Sequence, residues 1–190
     1  MNSELDNLTK IVKLLDEGAV VLCPTDTIWG LSCDAMNLSS VRRIFDIKSR
    51  DLDKPLILLF SQVSEIKKYV KDLHPRVEDL LIYYQKPVTF IHRAGPKLPR
   101  HLVNKDGTVA IRLTQDDTLR ELIDDLGRPI VSTSANIQGE PSPTGYPEIT
   151  EKVKSQVDYI FKARRVNGTN ASASQIIKYD KDGQLIFIRE

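Results

Sequence analysis

The chain has 190 residues, 41% of them hydrophobic and 28% charged, with a formal net charge of +1. That is the composition of an ordinary soluble globular protein long enough to bury one core, and the near-zero charge excludes the global basic field of a dedicated nucleic-acid binder. No apolar run is long enough to span a membrane, no signal-like leader opens the chain, and Cys23 and Cys33 lack a CxxC spacing, so reduced, packed thiols in a cytoplasmic protein are expected.

Ser3 with Asp6 resembles a helix start, and Leu5, Leu8, Ile11, Val12 and Leu15 then recur at helical spacing until Gly18. Residues 20–23 read as a buried strand, stopped by Pro24 and the polar run Thr25-Asp26-Thr27 before Gly30 opens a second apolar segment. A helix over 37–47 runs into the charged loop 48–55, and 56–60 is an apolar strand. Helices follow over 63–70 and 75–84, with Pro75 suited to a first helical position. Strands over 88–91 and 109–113 flank a loop, and Thr114 or Asp116 caps a helix that ends at Gly127. Residues 130–134 begin apolar and turn polar; 147–153 read as helical and 159–161 as a short strand. Residues 176–179 pair with 185–188 across an Asp182-Gly183 turn. Alternating strands and helices with a closing hairpin predict one α/β domain over 1–190, a mixed parallel and antiparallel twisted sheet flanked by helices.

Three polar features bear on chemistry. Lys48, Arg50 and Lys54 place three cations in one loop, a set suited to phosphate oxygens, although Asp51 and Asp53 make a solvated surface loop the default reading. Ser132-Thr133-Ser134-Ala135-Asn136 gathers hydroxyls and an amide at a strand end, where they can serve a ligand or the loop's own backbone. Arg112 is a lone charge in an apolar strand, facing solvent by default or else a site. The three histidines, His74, His92 and His101, lack metal-ligand spacing, and no protein-held metal is expected. GxxxxGK[ST], GxGxxG, GxSxG and HExxH are all absent, so a nucleotide would be held by an unusual route.

In their order along the chain these segments resemble the YrdC family of threonylcarbamoyl-AMP synthases. Pro24-Thr25-Asp26-Thr27-Ile28-Trp29-Gly30-Leu31 is similar to the family's Pro-Thr-Asp/Glu-Thr-x-Tyr-Gly-Leu, with Trp29 in the Tyr place. Lys48-Ser49-Arg50, Lys54-Pro55, Val109 to Arg112, Ser134-Ala135-Asn136, Pro141 to Thr144, Ser174 to Ile177 and Ile188-Arg189 follow in family order. The resemblance implies a YrdC-like domain that forms a carbamate from L-threonine and bicarbonate or CO2. The carbamate attacks the α-phosphate of ATP, pyrophosphate leaves, and threonylcarbamoyl-AMP passes to the transferase machinery that modifies tRNA beside the anticodon.

Carried over by motif, the threonine contacts fall on Thr27, Arg112, Ser132 and Ser174. The ATP contacts fall on Arg50, Lys54, Thr108, Ser134, Asn136, Ser142 and Arg189, with Lys48, Arg50 and Lys54 as the catalytic cations. Magnesium is implied on the phosphates, and no residue is implied as base for the threonine amine. Departures from the pattern are Lys86 in a Pro-Gly-Pro-Val-Thr context, Leu59 in a histidine place, Thr114 for proline and Gln175 for threonine. The chain is expected to stop short of the extra C-terminal domain of longer relatives. Weak RNA binding is compatible with the cations; the rival readings are a non-catalytic RNA-binding module and a diverged paralogue. Removal of Arg112 is expected to leave the fold intact, because its counter-ion would be the ligand.

Overall fold

The computed structural model describes residues 6–51, 55–165, 172–179 and 184–189. Ser3, Lys54 and the Asp182-Gly183 turn lie outside them. Helix α1 (Leu8–Asp16) is capped by Asn7, whose side chain accepts from the Lys10 amide, and it buries Ile11 and Leu15. Gly18 follows at φ +90°, a left-handed backbone that glycine adopts without a Cβ penalty. Strands β1 (Val21–Cys23) and β2 (Gly30–Asp34) form a hairpin around the polar turn, pairing Cys23 with Gly30. Helix α2 (Leu38–Lys48) starts on Asn37 and ends at Ser49 in the left-handed region.

Then come β3 (Ile57–Phe60), α3 (Val63–Tyr69), α4 (Pro75–Tyr83), β4 (Val88–Arg93) and β5 (Thr108–Leu113). Asp116, rather than Thr114, caps α5 (Asp117–Leu126) by accepting from the Leu119 amide, while Thr114 Oγ1 accepts from the Asp116 amide. After β6 (Ile130–Ser134) the run 147–153 is not one helix. A 3₁₀ turn at Tyr146–Glu148 gives way to extended backbone at Ile149, which buries its side chain, and α6 (Glu151–Lys154) begins afresh after Thr150. Strands β7 (Tyr159–Ile160), β8 (Gln175–Tyr179) and β9 (Leu185–Arg189) complete the described chain.

The nine strands among the described residues join one sheet in the order β7-β1-β2-β6-β3-β5-β4-β8-β9. The pairs β1–β7, β3–β5 and β4–β8 are parallel and the remaining five antiparallel, so the sheet is mixed. Side-chain alternation then divides its faces. Leu31, Val131, Leu58, Val109, Ile111, Phe90 and Ile177 are buried in the hydrophobic core. The alternate set, Gly30, Ser132, Ile57, Ala110, Arg112 and Ile91, looks into a cleft. No described helix is long and apolar enough to cross a membrane.

A cationic cleft on the open face of the sheet

The cleft has a volume of about 390 Å³. Thr27, Arg50, Arg112, Ser132, Ser134, Ser142, Ser174 and Arg189, drawn from segments far apart in sequence, all line it. Its lining residues among those described include three arginines and no carboxylate.

Arg112 forms the floor. It stands on β5 beside Ala110 on the same face, is only 3% exposed, and its register partner on β3 is Leu59. A guanidinium in such a place needs partners, because an unpaired buried charge costs several kcal/mol. Nη2 donates to Asp26 Oδ1 at 2.7 Å and Nη1 to Thr27 Oγ1 at 3.0 Å. Nε is buried and has no partner. Asp26, to which the sequence reading gave no role, supplies the counter-charge.

The polar turn fixes the hydroxyl beside that guanidinium. Thr25 Oγ1 donates to the Ile28 carbonyl and lies 2.8 Å from Thr27 Oγ1. A hydroxyl has one proton, so in this pair Thr27 donates and Thr25 accepts. Thr27 Oγ1 then accepts from Arg112 and keeps one lone pair for a ligand donor. Across the hairpin, a Cβ on Gly30 would stand 3.0 Å from Ser132 Oγ and 3.2 Å from the Thr133 carbonyl. Glycine there lets β2 and β6 approach with the Ser132 hydroxyl between them.

Ser174 closes the opposite wall. Its hydroxyl lies 2.7 Å from Thr89 Oγ1, and its carbonyl accepts from Arg189 Nε and Nη2 at 3.0 and 2.7 Å. The β8–β9 ladder shifts register at Ile176/Ile177, and both Ile188 and Arg189 line the cleft. Burial, reinforced by the nearby positive charge of Arg112, lowers the Arg189 pKa from its ordinary value. Such facing cations are relieved by a bound anion. Arg50 donates to Thr133 Oγ1 and to the Pro55 carbonyl, and burial lowers its pKa too.

Lys48 behaves differently from the loop cation read in sequence. It is the last residue of α2, 2% exposed, and its Nζ reaches three acceptors: the Ser134 carbonyl, the Asn136 carbonyl and Asn136 Oδ1. Burial first, and the adjacent Arg50 second, push its pKa down to about 8. Lys48 therefore staples the turn after β6. Asn136 is held there as well, accepting from Ser134 Oγ and donating to the Glu140 carbonyl, and with Lys48, Arg50 and Ser134 it borders a smaller recess.

Thr108 is not brought into the cleft. It sits at the other end of β5, with its hydroxyl donating to Asp106, in an open groove with Lys71, Arg93 and Lys178 that meets the cleft at Pro55 and Ile91. The departures from the family pattern have local partners. Trp29 packs on Tyr146, Gln175 accepts from the Tyr84 hydroxyl, and Thr114 donates to Asp26.

Fold and cleft together define an α/β protein with a cationic binding site on the open face of a mixed sheet. The chain belongs to the Sua5/YciO/YrdC family, whose sequence model, described as "Telomere recombination", matches residues 13–190. It is 37% identical over 145 residues to a protein named threonylcarbamoyl-AMP synthase from Hydrogenovibrio crunogenus, covering 74% of this chain and 77% of that one. It is similar in structure to P. abyssi Sua5 complexed with L-threonine, with a TM-score of 0.85 and 27% identity over 96% of this chain. The chain spans only about half of that Sua5, 53% of its length. HypF in a phosphate- and nucleotide-bound form is also similar, with a TM-score of 0.84 and 25% identity over 98% of this chain and 29% of that one.

Proposed function

We propose that this protein is a threonylcarbamoyl-AMP synthase, a nucleotidyltransferase that joins L-threonine, bicarbonate or CO2 and ATP. The observation that carries the reading is the buried Arg112 guanidinium at the cleft floor, with unspent N–H donors and with Arg50 and Arg189 on the walls. The cleft is thus built for an anionic ligand. Relatives of the same name and a relative's complex with L-threonine support the choice of substrates.

Arg112 binds the threonine carboxylate, a planar acceptor that matches the guanidinium fork. The Thr27 lone pair, Ser132 and Ser174 take the amino and hydroxyl groups. The amine, once carboxylated, presents a carbamate oxygen to the α-phosphorus of ATP. The new O–P bond forms as the bond to the β-phosphate oxygen breaks, and pyrophosphate leaves with the electron pair. Arg50 and Arg189 offset the charge that develops on the phosphates, with Ser134 and Ser142 as hydrogen-bonding groups. Lys48 acts at one remove, by holding the turn that carries Ser134. Lys54 is assigned to the phosphates by its motif alone, and Thr108 only by a ligand that extends past Pro55 into the neighbouring groove. The described lining of the cleft contains no carboxylate, which favours magnesium entering on the nucleotide's phosphates rather than in a protein cage.

The adenylate is an activated acyl donor, and its consumer is the cytoplasmic machinery that threonylcarbamoylates tRNA. Any weak RNA contact by this chain belongs to the groove of Lys71, Arg93 and Lys178. The test is pyrophosphate release from ATP by the purified protein. Release that requires both L-threonine and bicarbonate is expected; release indifferent to threonine would defeat the reading.

A further inference from the structure

The Asp26 side chain is only 8% exposed, and Asp26 is not among the described residues that line the cleft. Its carboxylate nevertheless accepts three hydrogen bonds from described residues. Oδ1 accepts from Arg112 Nη2 at 2.7 Å and from Thr114 Oγ1 at 3.2 Å, while Oδ2 accepts from the Gln115 amide at 3.3 Å. Thr114 is pinned in turn, since its hydroxyl accepts from the Asp116 amide and its own amide donates to the Phe60 carbonyl. The carboxylate is therefore tied to the end of β5 by two contacts independent of the arginine it pairs with.

That arrangement does more than neutralise a charge. A guanidinium on a flexible side chain can rotate, and rotation would move its donors off a planar acceptor. Asp26 on Nη2 and Thr27 on Nη1 together fix the plane and take two of the five guanidinium N–H groups, leaving the second N–H of each Nη and that of Nε unspent among the described residues. We propose that Asp26, braced by Thr114, is a positioning residue that sets the orientation of Arg112 for the carboxylate of the amino-acid substrate, without touching that substrate itself. The inference rests on the assignment of Arg112 to that carboxylate. A proline at position 114 could supply neither the hydroxyl nor the amide, so the brace depends on the threonine that stands there.

Steady-state pyrophosphate release, with L-threonine and ATP varied separately, tests this in Asp26→Ala, Asp26→Glu and Thr114→Val, alongside thermal denaturation. A hydrogen bond to a charged group corresponds to about a 10- to 100-fold change. Asp26→Ala should raise the KM for threonine by about that much while the KM for ATP stays within about twofold of wild type. Asp26→Glu, which keeps the carboxylate, should recover most of the loss. Thr114→Val, which removes one brace but no charge, should raise the threonine KM several-fold and carries the test if Asp26→Ala does not fold. A threonine KM unchanged in both Asp26→Ala and Thr114→Val would overturn the proposal. So would threonine and ATP KM rising in parallel, the mark of a merely structural residue. Wild-type protein that releases pyrophosphate without needing threonine would instead remove the assignment of Arg112 on which the proposal stands.

Discussion

Arg112 and Lys48 are both cations buried to the same degree at the edge of one cleft, yet their partners differ in kind. Arg112 is paired with a carboxylate and a hydroxyl, which take two of its five N–H donors, and has donors left over, Nε among them. Lys48 faces neutral oxygens only, and its three donors meet three acceptors. A cation with donors to spare is poised for a ligand; one whose donors are spent on backbone carbonyls holds a loop. Burial and charge alone would have put the two residues in the same role.

The largest effect is expected from breaking the Arg112 side of this contrast. Arg112→Ala leaves Asp26 buried without its counter-ion, and removing one partner of such a pair costs about 3–5 kcal/mol of stability. The expectation that the arginine could be removed without harm to the fold took the ligand as its counter-ion, a place that Asp26 fills within the fold. Adding Asp26→Asn to Arg112→Ala should return most of the stability and none of the threonine-dependent activity. Chemical denaturation with the pyrophosphate assay reads both, and a double variant no more stable than the single would show that the pair is not the cause.

Next is Lys48→Met, which keeps the stem and removes the donors. The carbonyls of Ser134 and Asn136 lose their charged partner, at about 1–3 kcal/mol for a buried acceptor left unsatisfied. Because the loosened turn carries Ser134, the KM for ATP should rise more than that for threonine. A threonine KM that rose as much would erase the distinction between the two cations.

The smallest effect is the response to pH. With its pKa lowered from 10.5 to about 8, Lys48 releases its proton from the folded protein before the unfolded chain does. Between about pH 8 and 10.5 the unfolded chain binds more protons, so this group's contribution to stability rises with pH across that window and is smallest below it. The staple, however, loses a donor over the same range. Activity should fall with an inflection near pH 8 while the melting temperature shows no matching drop from this group. Lys48→Arg, charged throughout, should abolish the inflection; its persistence would assign the titration to another group.

The main elements were legible because their signals are local: the cap at Asp116, the apolar runs of β3 and β5, and Gly127 after α5. Strand alternation also determines that Ala110 and Arg112 share a face. Which face is open depends on β3, β4 and β6, distant segments whose pairing no local pattern announces. The same distance hid Asp26, 86 residues from its arginine, and disguised Lys48, whose acceptors lie on a turn 86 to 88 residues further along. Thr108 shows the limit of motif transfer. It has the parity of Arg112 on β5, but four residues of strand, about 13 Å, carry it to the neighbouring groove. The break at Ile149 was equally invisible, since Pro147 opens a helical turn as readily as it opens a helix.

The central claim, that Arg112 receives the carboxylate of the amino-acid substrate, is tested most directly by calorimetric titration of L-threonine against L-threoninamide. The two ligands differ only in that the amide replaces the charged, planar carboxylate with a neutral group. Wild-type protein should bind L-threonine at least about tenfold more tightly, as loss of one hydrogen bond to a charged group corresponds to 1.5–3 kcal/mol. Arg112→Lys, whose point charge cannot reproduce the fork, should lose most of that preference. Equal binding of the two ligands by the wild-type protein would contradict the account.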